Sequence, residues 1–453
     1  MAIDRRSLIG LSAAGAGGAL LPSPSRATPM PLGSLGLDVT HFGVNPASSD
    51  DQSHALQRAI DASAAARVPL WLPAGNYVAS DLVLPSGAQL FGIRGATRLA
   101  LGFGASILAA SRADQITLQG LVLDGGGREL PDKRGLISLR EVRGVRIFDC
   151  VIQQSGGTGI QLEGVEGEIA HNTIIGAAQG AIFTIDARGL VITNNTILNA
   201  GNNGIQVWRS RPGDDGTQVL ANRIENVAAN AGGTGQHGNG ISIFRAGNVI
   251  VADNRIKNCA FSAVRGNSAS NLHIRGNSTS GSGEVALYSE FAFEGAVIAN
   301  NVVDGAAIGV SIANIDHGGR LAVCQGNVIR NLVRNGDRQE DRDHRGIGIH
   351  VEADSAVTGN VIENAEATGI RVGWGVGLRD VSVTGNVVRV CPVGIAISVA
   401  PGAGSAHVAN NLIVDAARAA ILGMEWHQPV TGDLARETES RFAQLTVSGN
   451  QVR

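Results

Sequence analysis

Apolar and polar residues alternate in short runs along most of the chain, and turn residues separate the runs. From about residue 149 one run, such as Leu190–Ile192, leads into Asn-x-[Ile/Val/Leu], and a later run has the form Gly-Ile-x-apolar, as in Gly204–Val207. A period of two predicts half-buried β-strands rather than helices. Three such strands per repeat are too short to bury their apolar faces alone, so the repeats are expected to stack.

The asparagine of this repeat recurs along the chain at spacings of 23 to 39 residues. It stands at Asn172, Asn195, Asn222, Asn254, Asn277, Asn301, Asn327, Asn360, Asn386, Asn411 and Asn450. Coils stacked about 4.8 Å apart would align these side chains in a ladder. We expect the asparagine to take the left-handed conformation at a corner, and the glycine of Gly-Ile-x-apolar to take a positive φ. The predicted fold is all-β, a single-stranded right-handed parallel β-helix.

The start of the mature chain, ahead of these repeats, has a different pattern, which predicts a capping helix. Asp50 or Asp51 would cap its N-terminus, and its apolar face is formed by Leu56, Ala59, Ile60 and Ser63. Together with the segment Trp71–Tyr77, this region resembles the N-terminal cap of the pectate-lyase-like superfamily, which includes glycoside hydrolases and polysaccharide lyases. The resemblance implies a cap and first coils over residues 28–110 and β-helix repeats over residues 111–453.

Residues 1–27 have the features of a targeting signal. Arg5 and Arg6 precede a short apolar run rich in Ala and Gly, and Ser25 and Ala27 are small residues at the positions that determine cleavage. The segment resembles a twin-arginine signal, which is an address for a receptor rather than a membrane anchor. It predicts a periplasmic or secreted protein that meets the twin-arginine translocase during export, with no membrane span in the mature form. Signal and repeats together resemble a family of twin-arginine-translocated repeat proteins of undetermined function.

Composition narrows the classes of partner. The net charge of −3 and the absence of a basic cluster argue against nucleic acid. Gly residues number 62 but follow no three-residue period, which excludes collagen. The four cysteines contain no C-x-x-C pair and are expected to be buried thiols. With three Met residues and no His/Met cluster, a copper-loading β-helix ranks last among the functions considered.

Candidate site residues follow the Gly-Ile-x-apolar strand in successive coils. Aromatic residues are scarce, at 4% of the chain, yet several stand here beside arginines and carboxylates. The predicted catalytic residues are Asp186, Arg245, Arg265 and Glu290, and the predicted substrate-binding residues are Trp208, Arg209, Phe244, Asn267, Tyr288 and Trp374. Aromatic rings can stack on sugars, and Arg can pair with uronate carboxylates. We therefore expect a polysaccharide or oligosaccharide as the ligand.

The type of reaction stays open at this point. Hydrolysis needs two carboxyl groups, and Asp186 or Glu290 could serve as the acid. A lyase needs a base, often Arg or Lys in this superfamily, and Arg245 or Arg265 would suit that role. The alternative is a non-catalytic glycan-binding or envelope-interaction solenoid, in which Arg209 and Arg245 pair with Asp186 and Glu290. No cofactor is evident, and the sequence does not support calcium.

Three further motifs offer alternative sites. Asp214-Asp215, Gln236-His237-Gly238 and Arg255-Ile256-Lys257 are similar to parts of the polygalacturonase pattern, but Asn202-Asn203 lacks the Asp of its first motif. Asp316-His317 is similar to part of the mannuronan epimerase motif. The charged excursion 334–345 includes Asp341, Asp343 and His344, which could bind a metal but are expected to form a solvated loop. Trp426 and His427 are assigned to a loop that covers the last coils.

Overall fold

The structure is a computed structural model, and it describes residues 36–131, 134–335, 342–437 and 441–453. The chain winds into coils with three faces, and strands of each face pair in parallel with those of the coils before and after. The first face is a sheet of sixteen strands. These are Leu37–Asp38, Leu70–Trp71, Gln89–Phe91, Thr117–Gln119, Val145–Phe148, Gly167–Ala170, Val191–Thr193, Gln218–Leu220, Ile250–Ala252, Leu272–Arg275, Glu294–Ala299, Arg320–Gln325, Ala353–Thr358, Arg379–Thr384, Ala406–Ala409 and Leu445–Ser448.

The second face follows the asparagine marker and the third face carries the Gly-Ile-x-apolar phrase. Second-face strands are Gly75–Ala79, Thr97–Leu101, Val122–Asp124, Val151–Gln153, Thr173–Ile175, Thr196–Ala200, Arg223–Val227, Arg255–Cys259, Val328–Leu332, Val361–Ala365 and Gln451–Val452. Third-face strands are Leu82–Val83, Leu108–Asp114, Gly135–Arg143, Thr158–Glu163, Gly180–Ile185, Asn203–Asp214, Asn239–Gly247, Val264–Asn267, Ile347–Val351 and Thr368–Val372. Four long strands run through both faces: Ser278–Glu290, Val302–Ile312, Val387–Ser398 and Leu412–Glu425. The predicted all-β parallel β-helix is therefore confirmed.

The interior is formed by like residues stacked in rows. Ile152, Ile174, Ile197, Ile224 and Ile256 follow one another on the second face, and all are buried. Each inward side chain meets its counterpart one coil away, so the apolar core runs continuously along the axis. All four cysteines lie in this core as buried free thiols, as predicted.

The predicted asparagine ladder is present, and it satisfies buried backbone groups at one corner. In a typical rung, the side-chain oxygen of Asn254 accepts from both the backbone N–H and the side-chain amide of Asn222, at 2.9 and 3.0 Å. The Asn254 amide donates in turn to the Asn277 side chain at 3.0 Å and to the Val219 carbonyl at 2.9 Å. Each rung thus links neighbouring coils at the same corner.

The predicted backbone conformation of the asparagine is wrong, because the left-handed residue is the one that precedes it. Ala221 and Asp253, for example, have φ of 52° and 58°, whereas Asn222 and Asn254 do not have positive φ. The preceding residue makes the sharp turn. The asparagine can then point its side chain inward, where it reaches the backbone of the adjacent coils.

The glycines of the Gly-Ile-x-apolar phrase also differ from expectation, since none of them has a positive φ. They are required by close packing instead. A Cβ atom on Gly204 would lie 2.4 Å from the Gly240 carbonyl oxygen and 2.9 Å from a methyl group of Ile224. A Cβ atom on Gly348 would be equally crowded by Gly369 and Ile362. The corner between the second and third faces is therefore too narrow for a side chain at these positions.

The N-terminal end is covered by the predicted helix, Ser53–Ala66, which follows a short 3-10 helix at Val39–Phe42. Its buried face is Leu56, Ala59, Ile60 and Ser63, as predicted. Its N-cap residue is Gln52 rather than an aspartate, although the Asp51 carboxylate accepts from the Ser53 N–H at 2.9 Å. At the other end, Gln428–Asp433 turns back antiparallel on the last third-face strand. The segment that carries Trp426 and His427 therefore covers the last coil, as predicted.

The twin-arginine signal at residues 1–27 lies outside the described residues. Within the described ranges, no helix is long and apolar enough to cross a membrane. The charged excursion is described at residues 334–335 and 342–345, so Asp341 also lies outside the described part of the chain.

Replacing Asn254 by Ala should lower the free energy of unfolding by about 1–3 kcal/mol, because it leaves the buried backbone N–H of Asn222 without its acceptor. Asn450→Ala is the matched control. Asn450 is the last, half-exposed rung, so water can replace its oxygen and the loss should be smaller. Urea unfolding of the two variants measures the difference. Equal losses would show that the ladder does not stabilise the interior coils more than the end.

Candidate functional site

The third face carries an outward row of side chains, one from each coil, that includes most of the titratable residues of the candidate site. The strand pairing aligns one side chain per coil in the order Phe183, Gln206, Ser242, Arg265, Tyr288, Ser311, His350 and Arg371. These residues occupy the x position of the Gly-Ile-x-apolar phrase or its equivalent. Successive side chains are about 4.8 Å apart, so the row forms a track along the solenoid.

At the centre of the track is a buried ion pair. Two guanidinium nitrogens of Arg265, Nε and Nη2, donate to the two carboxylate oxygens of Glu290 at 2.7 and 3.0 Å. Asn267 donates to the same carboxylate at 2.9 Å. The Glu290 side chain is 2% exposed and that of Arg265 is 13% exposed. Gly235, from the excursion after the second face, lies directly against the guanidinium, where a Cβ atom would come within 1.5 Å of Nη1.

A second carboxylate reaches the same arginine from the side of the track. Glu284 lies in an irregular turn of its strand, 3.4 Å from Nη1 of Arg265, and its side chain is 28% exposed. Burial raises the pKa of Glu284 above its ordinary value, and the charge of Glu290 adds to this, although Arg265 opposes it. Burial and the same two carboxylates also raise the pKa of Tyr288, whose ring lies 5.2 Å from the Arg265 guanidinium. Tyr288 therefore stays protonated and can donate a hydrogen bond.

A cleft of about 350 Å³ opens beyond Tyr288 and contains a third carboxyl group. Glu352 lines it opposite Glu284, and its Oε2 accepts from the Ile315 backbone N–H at 2.9 Å. Burial raises the pKa of Glu352 above its ordinary value. His350 also lines the cleft, with Nε2 3.7 Å from the Glu352 carboxylate. Burial, together with the charge of Arg371, lowers the pKa of His350 to about 3, so its imidazole is neutral at neutral pH.

The cleft ends at Arg371 and Trp374, both of which line it. The Arg371 guanidinium lies 5.2 Å from the Trp374 ring, and burial lowers the pKa of Arg371 to about 10. The rings of His344 and His427 contact Trp374 at centroid distances of 4.8 and 4.3 Å. Of the predicted binding residues, Trp374 therefore lies at the far end of the site, among residues from two excursions of the chain.

The predicted aromatic residues Trp208 and Phe244 form a separate ladder with Phe183 in earlier coils. Phe183 and Trp208 meet edge to face at 5.5 Å, and Trp208 and Phe244 meet at 5.6 Å. The Trp208 indole N–H also donates to the Ser242 hydroxyl at 3.3 Å. These half-buried rings present a continuous apolar strip on the third face, next to the Arg265–Glu290 pair.

Three of the predicted polar residues make hydrogen bonds to neighbouring residues at corners outside the cleft. The Asp186 carboxylate accepts from the Ser210 N–H and hydroxyl at 2.9 and 3.1 Å, and Arg245 donates to the Ser210 carbonyl at 3.2 Å. Arg209 donates to the Asp214 carbonyl at 2.7 Å. Four coil steps separate the Asp186 corner from that of Glu290, about 19 Å, so these two carboxylates cannot flank one bond.

The structure thus brings Arg265, Glu290, Asn267 and Tyr288 together, and leaves the other predicted residues in the aromatic ladder, at the corners or at the far end. The alternative pairing of Arg209 and Arg245 with Asp186 and Glu290 does not occur, because Glu290 pairs with Arg265. The roles of all these residues stay predictions. Among the described residues, no group of three or more His, Cys, Asp or Glu side chains is placed to hold a metal ion.

Glu284, His350 and Arg371 were missed as site residues. His350 and Arg371 occupy the x position of Gly-Ile-x-apolar, so the repeat itself contained a signal for them. The predicted residues Arg265 and Tyr288 occupy the same position in earlier coils. Glu284 lies where the strand register shifts between Ser282 and Val285, and no sequence pattern marks that irregularity.

Comparison with known proteins now identifies the family. A family model described as rhamnogalacturonase A/epimerase, pectate lyase-like matches residues 37–264, which is half of the chain. The chain belongs to this pectate-lyase-like family. A second model, described as a right handed beta helix region, matches residues 212–388 of the same pectate-lyase-like chain. No curated protein matches it in sequence.

Solved structures are similar to this pectate-lyase-like protein at low identity. The pre-mature gene product 12 of bacteriophage phi29 is 16% identical, over 86% of this chain and 54% of its own, with a TM-score of 0.52. The catalytic unit of a GH87 α-1,3-glucanase from Streptomyces thermodiastaticus is 15% identical, over 94% of this chain and 70% of its own, with a TM-score of 0.49. PfbA, a surface adhesin of Streptococcus pneumoniae, is 15% identical, over 85% and 91%, with a TM-score of 0.47. The phage likeness shows the shared fold.

Replacing Arg265 by Ala should lower the free energy of unfolding by about 3–5 kcal/mol, because the Glu290 carboxylate would stay buried without its partner. Arg245→Ala is the matched control: it loses a ring contact and one hydrogen bond, with an expected cost of about 1 kcal/mol. Glu290→Gln in the Arg265→Ala background should restore part of the loss, since a neutral amide is less costly to bury. Urea unfolding measures all three. Similar losses for both arginine variants would contradict the importance of the buried pair.

Acid should destabilise the protein in part through His350. Its folded pKa of about 3 lies below the ordinary value of 6.5, so the unfolded chain binds the proton first as pH falls. The stability that depends on neutral His350 is fully present above pH 6.5 and is lost as pH falls from there towards 3. His350→Asn should therefore flatten the stability profile across this window, as measured by urea unfolding at several pH values. His407→Asn, at an exposed position on the first face, controls for the loss of a histidine, and equal profiles for the two variants would contradict the assignment.

Proposed function

We propose that the protein binds a polysaccharide along the third face and hydrolyses it in the cleft between Glu284 and Glu352. The observation that carries this proposal is a single cleft lined by two carboxyl groups of raised pKa, Glu284 and Glu352, and by Arg371 and Trp374. Glycoside hydrolysis uses a carboxylic acid and a second carboxylate. The family description, which names a rhamnogalacturonase, supports the same class of substrate.

Each part of the cleft has a role in this reaction. One carboxylic acid gives its proton to the glycosidic oxygen as the bond to the anomeric carbon breaks. The other carboxylate takes a proton from the water whose oxygen joins that carbon, so that one water is consumed for each bond. The raised pKa values keep a protonated carboxyl available closer to neutral pH. Arg265 and Glu290 act as positioning residues, because their buried pair fixes the guanidinium that faces Glu284.

A second candidate function is glycan binding without cleavage. The observation that favours it is the aromatic ladder Phe183–Trp208–Phe244, which lies outside the carboxyl cleft. Flat rings along one face can stack on sugar rings without any acid or base. In this case the third face would serve as a docking track for a chain on a cell envelope or matrix.

We also propose that the protein acts outside the cytoplasm. Arg5, Arg6 and the apolar run that follows support export through the twin-arginine translocase, with cleavage after Ala27. N-terminal sequencing of the protein recovered from the periplasm or medium tests this. Retention of Arg5 and Arg6 in a cytoplasmic product would contradict it.

Glu284→Gln and Glu352→Gln should each lower the turnover number by about 100-fold or more, since each removes one acid–base group. The assay uses acidic and neutral polysaccharides, including rhamnogalacturonan, and follows new reducing ends together with the absorbance of unsaturated products. Reducing ends without absorbance indicate hydrolysis, and absorbance indicates elimination. For the wild type, turnover should fall as pH rises through the raised pKa of the acid, because that group then loses its proton.

Glu363→Gln is the matched control, as an exposed glutamate on the second face that pairs with Arg389. It should keep wild-type turnover. Loss of turnover in Asp186→Asn with retention in Glu284→Gln would move the site to the earlier coils. Binding of a polysaccharide with no turnover on any polymer would favour the docking function.

A further inference from the structure

A bridge of side chains crosses the third face at one end of the cleft. His344 precedes the strand Ile347–Val351, and Trp374 follows the strand Thr368–Val372. The two residues therefore leave the face at opposite edges, yet their rings meet at a centroid distance of 4.8 Å. A contact this close means that the bridge spans the full width of the face.

The space beneath the bridge is filled. Arg371 rises from the central row of the face, and its Nη2 donates to the Asp343 carbonyl at 3.1 Å. Its guanidinium lies 5.2 Å from the Trp374 ring, so it packs against the bridge. His427 packs against the other side, with its ring 4.3 Å from that of Trp374 and 4.8 Å from that of His344. A sugar ring cannot pass through packing of this kind.

Two separate hollows result. The carboxyl cleft, of about 350 Å³, lies on one side, and a pocket of about 210 Å³ lies on the other. Arg371 and Trp374 line both, which places them as the wall between the two spaces. A polysaccharide that enters the cleft must therefore stop at this wall.

One of the two proposed catalytic groups, Glu352, stands close to the wall. Val351 pairs with Val372 of the next coil, so the residues that follow them, Glu352 and Gly373, are neighbours about 4.8 Å apart. Trp374 comes next in the chain. The distance between the cleaved bond and the end of the cleft can then hold only a short piece of the substrate.

We propose that the bridge makes the cleft a dead end, so that the protein recognises the terminus of a glycan chain and releases a mono- or disaccharide from it. This inference rests on the proposed function and adds its mode of action. Trp374, His344 and Arg371 are the residues that determine it, because they form the wall that the chain end meets.

The test compares product length at early times for the wild type, Trp374→Ala and His344→Ala. The polymer is rhamnogalacturonan, or whichever polymer of the panel turns over faster. The wild type should release short products from the first time point, with a slow fall in viscosity per new reducing end. Either bridge variant should release longer oligosaccharides and lower the viscosity several-fold faster per new end. His344→Ala removes the half of the bridge that comes from the opposite edge of the face. The test can therefore be made with this variant if Trp374→Ala does not fold.

Trp426→Ala is the matched control. Trp426 contacts Trp374 at 5.7 Å, but it lines the pocket beyond the wall rather than the cleft, and it is 51% exposed. Its product profile should remain that of the wild type. Products of mixed length from the wild type at the first time point would overturn the inference, as would short products from both bridge variants.

A binding measurement separates this inference from the proposed function. Oligosaccharides of the same polymer carry a bulky fluorescent group at the reducing end or at the non-reducing end. A dead-end cleft should bind one of the two forms at least tenfold more weakly, and His344→Ala should remove the difference, whether or not cleavage occurs. Equal binding of both forms overturns the chain-end inference alone, whereas no cleavage and no binding of either form overturns both.

Discussion

The corner hydrogen bonds of the asparagine ladder are the interaction on which the rest of the structure depends. Each rung uses one side chain to satisfy a buried backbone N–H of the preceding coil and a carbonyl further back. A coil shifted by one residue would lose these bonds and turn its inward rows outward. Register is therefore fixed at the corner, and every row on the three faces follows from it. The track on the third face is a consequence of that fixed register.

The architecture could be predicted because it depends on periodicity, which the sequence displays directly. The marker spacing identified the coils, and the apolar face of the helix at Ser53–Ala66 identified the cap. The backbone details could not be predicted, because more than one physical reason can require the same residue type at a position. Gly204 could be required by a positive φ or by lack of space, and the neighbouring Gly240 carbonyl decides in favour of space. The short distance between Gly204 and the Gly240 carbonyl oxygen arises only when the coils stack, so the sequence alone does not reveal it.

The same limit applies to the site. Arg265 and Glu290 could be predicted as members of one site because they stand in successive coils, where register brings them together, but their pairing was not predicted. Glu284 sits in a register shift, and Trp374, His344 and His427 meet through excursions of the chain. The extra length of a repeat predicts that a segment leaves the coil. The direction that the segment takes depends on how it packs against the rest of the chain. The parts of the site that come from irregular segments were therefore the parts that sequence could not place.

The electrostatics of the centre connect stability to chemistry. Burying Arg265 and Glu290 costs desolvation energy that an apolar pair would avoid, so stability alone does not account for the pair. The position of the pair also affects the chemistry of the cleft. The charge of Glu290 helps to raise the pKa of Glu284, while Arg265 limits that rise. A regular β-helix would present every carboxylate to solvent along its faces. The excursion that brings Gly235 against Arg265 removes that solvent, and so makes one stretch of a repetitive surface chemically distinct.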